Sequence, residues 1–177
     1  RNILSGISNS AMTILSSTNI RVLSGYFGTD AGGSNRIANP GNNITVVSSR
    51  AVSVGRAALG AASVVLSGAN RHAIEATDSP DLNIAHTSFG TDALGVKAIS
   101  NLLSAVKVHC TAGFAAGATV GTTIIQSNLI AFSGDSGIQF EQGPAQNLVE
   151  GVHRILSNRI LSNKFDGILL STNVSSV

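Results

Sequence analysis

Apolar residues recur along the chain in short alternating triplets. The six triplets are Met12-Thr13-Ile14, Ile44-Thr45-Val46, Ile74-Glu75-Ala76, Val106-Lys107-Val108, Ile138-Gln139-Phe140 and Ile168-Leu169-Leu170. Their first residues lie 30 or 32 positions apart. A period of two places the first and third side chains of each triplet on one face of a strand. The pattern therefore predicts one short strand at an equivalent place in six successive units.

Further strand-like segments follow each triplet. An apolar pair comes about eight residues later, as in Ile20/Val22, Val52/Val54 and Leu82/Ile84, and a third segment follows in Val64-Val65-Leu66 and Leu129-Ile130-Ala131-Phe132. Ser, Asn and Gly interrupt these segments too often for helices of ordinary length. Units built only of short strands and turns close as coils of a solenoid, whose strands pair in parallel about 4.8 Å apart. We predict an all-β fold, a single right-handed parallel β-helix of about six coils.

The units also alternate within a longer repeat of 62 residues. Leu4-Ser5-Gly6 returns as Leu66-Ser67-Gly68, and Phe27-Gly28-Thr29-Asp30-Ala31 returns as Phe89-Gly90-Thr91-Asp92-Ala93. A third copy follows at an offset of 66, with an insertion placed near Cys110 to Phe114 and Cys110 just after a strand. Neither end of the sequence reads as a polar cap. Residues 1–177 are therefore expected to be one β-helix domain, a segment of a longer repeat protein, whose uncapped ends could support oligomers.

Composition and charge exclude several classes of protein. The chain is 43% hydrophobic and 11% charged, which argues against disorder. Its 11 basic residues are scattered and its net charge is +2, so no nucleic-acid surface is expected. No apolar run is long enough to predict a membrane span. A single cysteine excludes an internal disulfide, and the histidines show no zinc-ligand spacing.

Two stretches resemble a known repeat. Gly25-Tyr26-Phe27-Gly28-Thr29-Asp30-Ala31-Gly32-Gly33 and Ser88-Phe89-Gly90-Thr91-Asp92-Ala93-Leu94-Gly95 resemble the Gly-Thr-Asp-Ala unit of bacterial right-handed β-helix repeat proteins, which share the pectate-lyase-like architecture. Arg1-Asn2-Ile3-Leu4-Ser5-Gly6, Asn128-Leu129-Ile130-Ala131-Phe132 and Asn158-Arg159-Ile160-Leu161-Ser162-Asn163 look like coil openings of the same family. The resemblance implies a secreted or cell-surface protein. Many such proteins have no assigned chemistry, whereas others of this architecture cleave acidic or neutral polysaccharides, and no catalytic motif of theirs maps onto this chain.

The Gly-Thr-Asp turns offer the first candidate site. Asp30 and Asp92 are weak candidates for calcium ligands, but calcium prefers several carboxylates and no second acid follows either residue closely. The stronger interpretation is a turn whose Asp side chain accepts backbone N–H bonds while Gly supplies a positive φ. No cofactor is therefore predicted, and calcium is the one that remains possible.

The outward side chains of the triplet strands offer the second candidate. One row is Thr13, Thr45, Glu75, Lys107, Gln139 and Leu169, and the row two residues further along is Leu15, Val47, Thr77, His109, Glu141 and Ser171. Glu75, Lys107, His109 and Glu141 would form a mixed-charge cluster of groups that can move protons near neutral pH. The alternative interpretation is a Glu–Lys cross-strand pair that fixes register and aids solubility.

Three functions follow from these observations. The first is a non-catalytic structural or adhesive segment of a secreted or cell-surface bacterial protein, with a polysaccharide or a surface component as a possible partner. The second is a polysaccharide lyase or glycoside hydrolase that uses Glu75, Lys107, His109 and Glu141 along the triplet face. The third and weakest is a solenoid that assembles with itself through its uncapped ends.

Overall fold

The computed structural model describes residues 1–56, 64–110, 121–142 and 153–172. Within these ranges the chain forms seventeen β-strands and no helix. All of the pairings between these strands are parallel, and they build three sheets through which the chain passes in a fixed order. The described chain is therefore a parallel β-helix of six coils, as the spacing of 30 or 32 residues between the triplets predicted. No helix in these ranges is long and apolar enough to cross a membrane.

Each sheet takes one strand from successive coils. Sheet 1 contains β1 (Asn2–Leu4), β4 (Gly25–Phe27), β7 (Val64–Leu66), β10 (Thr87–Phe89), β13 (Leu129–Ala131) and β16 (Arg159–Leu161). Sheet 2 contains β2 (Met12–Leu15), β5 (Ile44–Val47), β8 (Ile74–Thr77), β11 (Val106–Cys110), β14 (Ile138–Gln142) and β17 (Ile168–Thr172). Sheet 3 contains β3 (Arg21–Val22), β6 (Ser53–Gly55), β9 (Asn83–Ala85), β12 (Thr123–Gln126) and β15 (His153–Leu156). The six apolar triplets are the strands of sheet 2.

The register of sheet 2 is the one that the triplets predicted. Its inner row aligns Ile14, Val46, Ala76, Val108, Phe140 and Leu170. The first five of these side chains are buried, and each large aliphatic one contributes roughly 1.5–3 kcal/mol by leaving water, before conformational entropy is subtracted. Leu170 departs from the expected buried row, since it is 73% exposed. It lies in β17, the edge strand of sheet 2, so only β14 pairs with it.

The 62-residue repeat reflects an alternation in turn length. The turns from sheet 1 to sheet 2 that carry the Gly-Thr-Asp sequences span residues 28–43 and 90–105, whereas the turn of the coil between them spans residues 67–73. Because that intervening turn is short, the two long turns meet across it. The Ala93 amide donates to the Gly33 carbonyl at 2.9 Å, and Lys97 Nζ donates to the Ser34 carbonyl at 3.0 Å. Pairs of coils are thus the true structural unit here.

The placement of Cys110 differs from the sequence interpretation. Cys110 is the last residue of β11 and does not follow it, because its backbone pairs in register with Gln142 of β14. The adjacent insertion near Cys110 to Phe114 falls, beyond Cys110 itself, outside the described residues.

Candidate functional site

The outward rows of sheet 2 are aligned as the sequence predicted. Lys107 pairs in register with Glu75 on one side and Gln139 on the other, and His109 pairs with Glu141. The four candidate residues therefore share one face of three consecutive strands, β8, β11 and β14. Nearer the first coil this face is partly apolar, with Leu15 62% exposed on β2 beside Thr13.

Lys107 forms its ion pair with Glu141 and not with Glu75. Its Nζ lies 2.7 Å from Glu141 Oε2, and the two side chains are only 18% and 17% exposed. Glu141 is one coil further along and two residues beyond the position directly opposite Lys107. The lysine therefore crosses its strand pair diagonally, which its long flexible stem permits.

Glu75 is directed towards the preceding coil. Asn42 Nδ2 donates to Glu75 Oε2 at 2.7 Å and to Thr45 Oγ1 at 2.9 Å. The Oδ1 atom of the same amide accepts from the His72 backbone N–H at 3.0 Å. Glu75 and Glu141 thus each bond to a residue of the coil before their own, Glu75 to Asn42 and Glu141 to Lys107. Their strands are separated by β11, which corresponds to roughly 10 Å at the usual strand spacing.

His72 belongs to this site, although the sequence interpretation left it out. It is 4% exposed, and its Nδ1 atom is buried without a hydrogen-bond partner. Burial lowers the pKa of His72, the Glu75 carboxylate opposes that shift, and Lys107 and then Arg71 add to it. Hydrogen bonding to the Ser104 backbone raises the pKa by a smaller amount. The imidazole is therefore held neutral beside a carboxylate and an ammonium group.

The sequence feature that could have identified His72 as part of this site is its position two residues before a triplet. Two residues ahead of each sheet 2 strand, the chain places Ser10, Asn42, His72, Ser104, Ser136 and Asp166. Members of this row bond to the outward row of the next coil, as Ser104 Oγ does to Gln139 Oε1 at 3.0 Å. Extending the alignment two residues upstream of each triplet would have placed His72 next to Glu75.

The lowered pKa of His72 predicts a specific loss of stability in acid. The unfolded chain takes up this proton near pH 6.5, but the folded chain resists it until a lower pH. The contribution of His72 to the free energy of unfolding is therefore fully present above about pH 6.5. It falls as the pH decreases towards the folded pKa, by at most about 1.4 kcal/mol per pH unit. We expect His72→Asn, which copies Asn42 of the preceding coil, to flatten the dependence of urea denaturation on pH between 7 and 5.

A second histidine supplies the control for that experiment. His153 stacks on Phe140 with ring centroids 4.5 Å apart, and burial lowers its pKa too. His153→Asn should not change the part of the pH dependence of the free energy of unfolding that comes from His72. If His72→Asn and the parent chain lose stability in parallel between pH 7 and 5, the assignment to His72 is wrong.

Asp30 and Asp92 close turns through their carboxylates. Asp30 Oδ1 accepts the Ser34 N–H at 2.8 Å, and Asp92 Oδ1 accepts the Val96 and Lys97 N–H groups at 2.8 and 3.1 Å. The Ser34 amide and then the Asn35 side chain hold the pKa of Asp30 below its usual value. This is the turn geometry that the sequence favoured. Calcium at these positions stays untested.

The chemistry available to the sheet 2 face is limited by these contacts. It carries one carboxylate–ammonium pair, one carboxylate bound by an amide and one buried neutral imidazole. Over the described ranges, no group of three or more His, Cys, Asp and Glu side chains is placed to hold a metal ion. Comparison of the chain with family models, curated proteins and solved structures finds no match.

Proposed function

We propose that this chain is a non-catalytic structural or adhesive segment of a secreted or cell-surface bacterial protein. The observation that carries the proposal is that the charged contacts on sheet 2 join successive coils. Lys107 binds Glu141 of the next coil, and Glu75 is bound by Asn42 of the preceding coil. Each of these contacts ties one coil to its neighbour, which is what a column that bears load along its axis requires.

The separation and existing contacts of the two carboxylates argue against hydrolysis on this face. Glycoside hydrolases use two carboxyl groups about 5–9.5 Å apart that face each other across the scissile bond. Glu75 and Glu141 lie on strands roughly 10 Å apart, and Lys107, on the strand between them, is already paired with Glu141. Glu75 is bound by Asn42. A substrate bound between them would have to break both existing contacts before either acid could act.

A polysaccharide lyase is the second candidate, and one observation favours it. His72, Glu75 and Lys107 lie close enough that the carboxylate and the ammonium group both shift the pKa of the imidazole. A neutral base beside a cation is the combination that proton abstraction next to a carboxylate substrate needs. However, His72 is buried, so a substrate could reach it only after the coil turns had moved.

Activity assays separate the two candidates. The chain should release no unsaturated or reducing ends from pectate, alginate or neutral glycans, with or without calcium. His72→Asn and Glu75→Gln serve as matched variants in the same assays. Turnover by the parent chain that falls at least tenfold in either variant would establish the lyase and overturn the structural proposal.

A double-mutant cycle tests the structural role of the Lys107–Glu141 pair. We expect the coupling free energy between Lys107→Met and Glu141→Gln to be about 1–2 kcal/mol, because both side chains are largely shielded from water. It is measured from urea denaturation of the two single variants and the double variant. The matched control is the Arg50–Asp81 pair, which has a similar separation of 2.9 Å but side chains 55% and 37% exposed.

The control pair should give a coupling below about 1 kcal/mol, with Arg50→Met and Asp81→Asn as its variants. Equal coupling free energies for the two pairs would mean that Lys107–Glu141 stabilises the chain no more than an exposed ion pair does. That result would contradict a role for this pair in holding neighbouring coils in register.

A further inference from the structure

A trough lies over the outer face of sheet 3, away from the charged cluster of sheet 2. It encloses about 390 Å³, within the lower range of small-molecule sites. Its floor is formed by β6 and β9, where the outward residues Ser53, Gly55, Asn83 and Ala85 are all small or short. Leu23 and Arg21 border it on the side of the first coil.

The trough follows from the order of residues in two outward rows. In one row Arg21 is followed by Ser53, Asn83, Ile124 and Arg154. In the other, Gly55 and Ala85 are followed by Gln126 and Leu156. Side chains are thus short in two adjacent coils and long on either side, so the depression is about two strands, or roughly 10 Å, wide.

Two guanidinium groups line this trough without a carboxylate to balance them. Arg21 and Arg56 both border the cavity, and among the described residues neither makes an ion pair or a side-chain hydrogen bond. Other arginines of the same region differ in this respect, since Arg50 binds Asp81. Within the described ranges, no acidic side chain borders the cavity.

A buried polar atom in the floor also lacks a partner. Asn83 Oδ1 is shielded from solvent and accepts no hydrogen bond from the described residues. A buried acceptor without a partner costs about 1–3 kcal/mol, so a ligand donor would recover that free energy if the Asn83 side chain turned this atom towards the trough. Two guanidinium groups without an ion pair among the described residues, and an asparagine whose buried oxygen has no partner there, therefore border the same cavity.

We propose that the trough binds a small organic anion. Its oxyanion head lies between the guanidinium groups of Arg21 and Arg56, which suit carboxylate and phosphate oxygens. A hydroxyl group on the ligand body donates to Asn83 Oδ1 after the side chain turns that atom into the trough, and the less polar part of the ligand packs on Leu23 and Ala85. This inference is independent of the structural role proposed for sheet 2.

Calorimetric titration of the full chain tests the proposal with four probes. Two are organic anions that share a body, 4-hydroxybenzoate and 4-hydroxyphenyl phosphate, and they distinguish a carboxylate from a phosphate head. Inorganic phosphate supplies charge without the body, and 4-hydroxybenzyl alcohol supplies the body without charge. We expect at least one organic anion to bind at least tenfold more tightly than both controls.

Four variants locate the binding. Arg21→Gln and Arg56→Gln should each weaken it about tenfold or more, because each removes a charge-assisted contact. Ser53→Leu should abolish it by filling the floor without changing charge. Arg154→Gln is the matched control, since it lies in the same outward row as Arg21 but does not border the cavity, and it should change binding less than twofold.

Three results would overturn the proposal. Neither organic anion binding more tightly than inorganic phosphate would mean that only diffuse charge attracts them. Equal weakening in Arg21→Gln and Arg154→Gln would lead to the same conclusion. Binding that survives Ser53→Leu would place the ligand elsewhere on the chain.

Discussion

Replacing Gly90 with alanine should reduce the free energy of unfolding by about 3 kcal/mol or more, because two separate penalties combine at this position. Gly90 has φ +72°, a backbone conformation that costs an L-residue roughly 1–2 kcal/mol. A Cβ atom there would also overlap the carbonyl oxygen of Ala131 in the next coil. That oxygen belongs to backbone, so the coils themselves would have to move apart. Urea denaturation followed by far-UV circular dichroism measures the loss.

Gly6 provides a control in which only the first penalty applies. Its φ is +69°, but the nearest atom to an added Cβ is Ile37 Cγ2 at an ordinary 3.5 Å. Gly6→Ala should therefore cost about 1–2 kcal/mol. Gly28, which has the same φ as Gly90 and whose Cβ would overlap the Ser67 carbonyl oxygen, should behave like Gly90. Equal losses at Gly6 and Gly90 would show that contact between coils does not limit these turns.

The repeat made the fold predictable because one short pattern specifies both strand and register. Ile14 and Val46 occupy the same place in successive units, and a parallel pair that buries both is in register by necessity. The same argument extended correctly to Val108 and Phe140. It failed to give the exposure of Leu170, because burial depends on whether another coil covers the strand and not on the strand's own pattern.

The candidate site was predictable only as a set of neighbours. Register placed Lys107 between Glu75 and Gln139, but a lysine side chain can reach residues in either adjacent coil. Which carboxylate it binds depends on competition, and Asn42 already holds Glu75. The trough on sheet 3 was missed for a related reason. A row of short side chains has no distinctive pattern in a sequence. It forms a cavity only when the equivalent side chains of the adjacent coils are long.

The corner asparagines were visible in the sequence as part of the 62-residue repeat, but their role was not. Asn39 and Asn101 are equivalent positions, both fully buried. Each accepts a backbone N–H of the coil beside it, from Ile7 or Ala69, and donates to a carbonyl of the same coil. A side-chain amide has one donor end and one acceptor end, so it replaces the backbone bonds that the turn interrupts.

Asn101→Ala should accordingly destabilise the chain by about 2–4 kcal/mol, the second of the two largest effects expected here. The Ala69 N–H, which donates to Asn101 Oδ1 at 3.0 Å, would lose its acceptor. Both residues are buried, so water would not replace that acceptor. The Leu66 carbonyl would lose the Asn101 amide but keep the Gly90 N–H at 3.2 Å, so only one group is left wholly without a partner. Denaturation in urea measures the change.

Asn70→Ala is the matched control for that measurement, since Asn70 is exposed and, in the part of the chain that the structure describes, its side chain bonds only to Arg36. It should change stability by no more than about 0.5 kcal/mol. The contrast matters because both residues are asparagines of the same region of the column, and only one of them replaces a backbone hydrogen bond. Comparable losses for the two variants would mean that the corner amides contribute no more than an exposed asparagine does, and that the coils are held together by their apolar rows and strand pairing alone. A loss confined to Asn101 would mean that the coil corners, as well as the core, determine how firmly each coil is attached to the one before it.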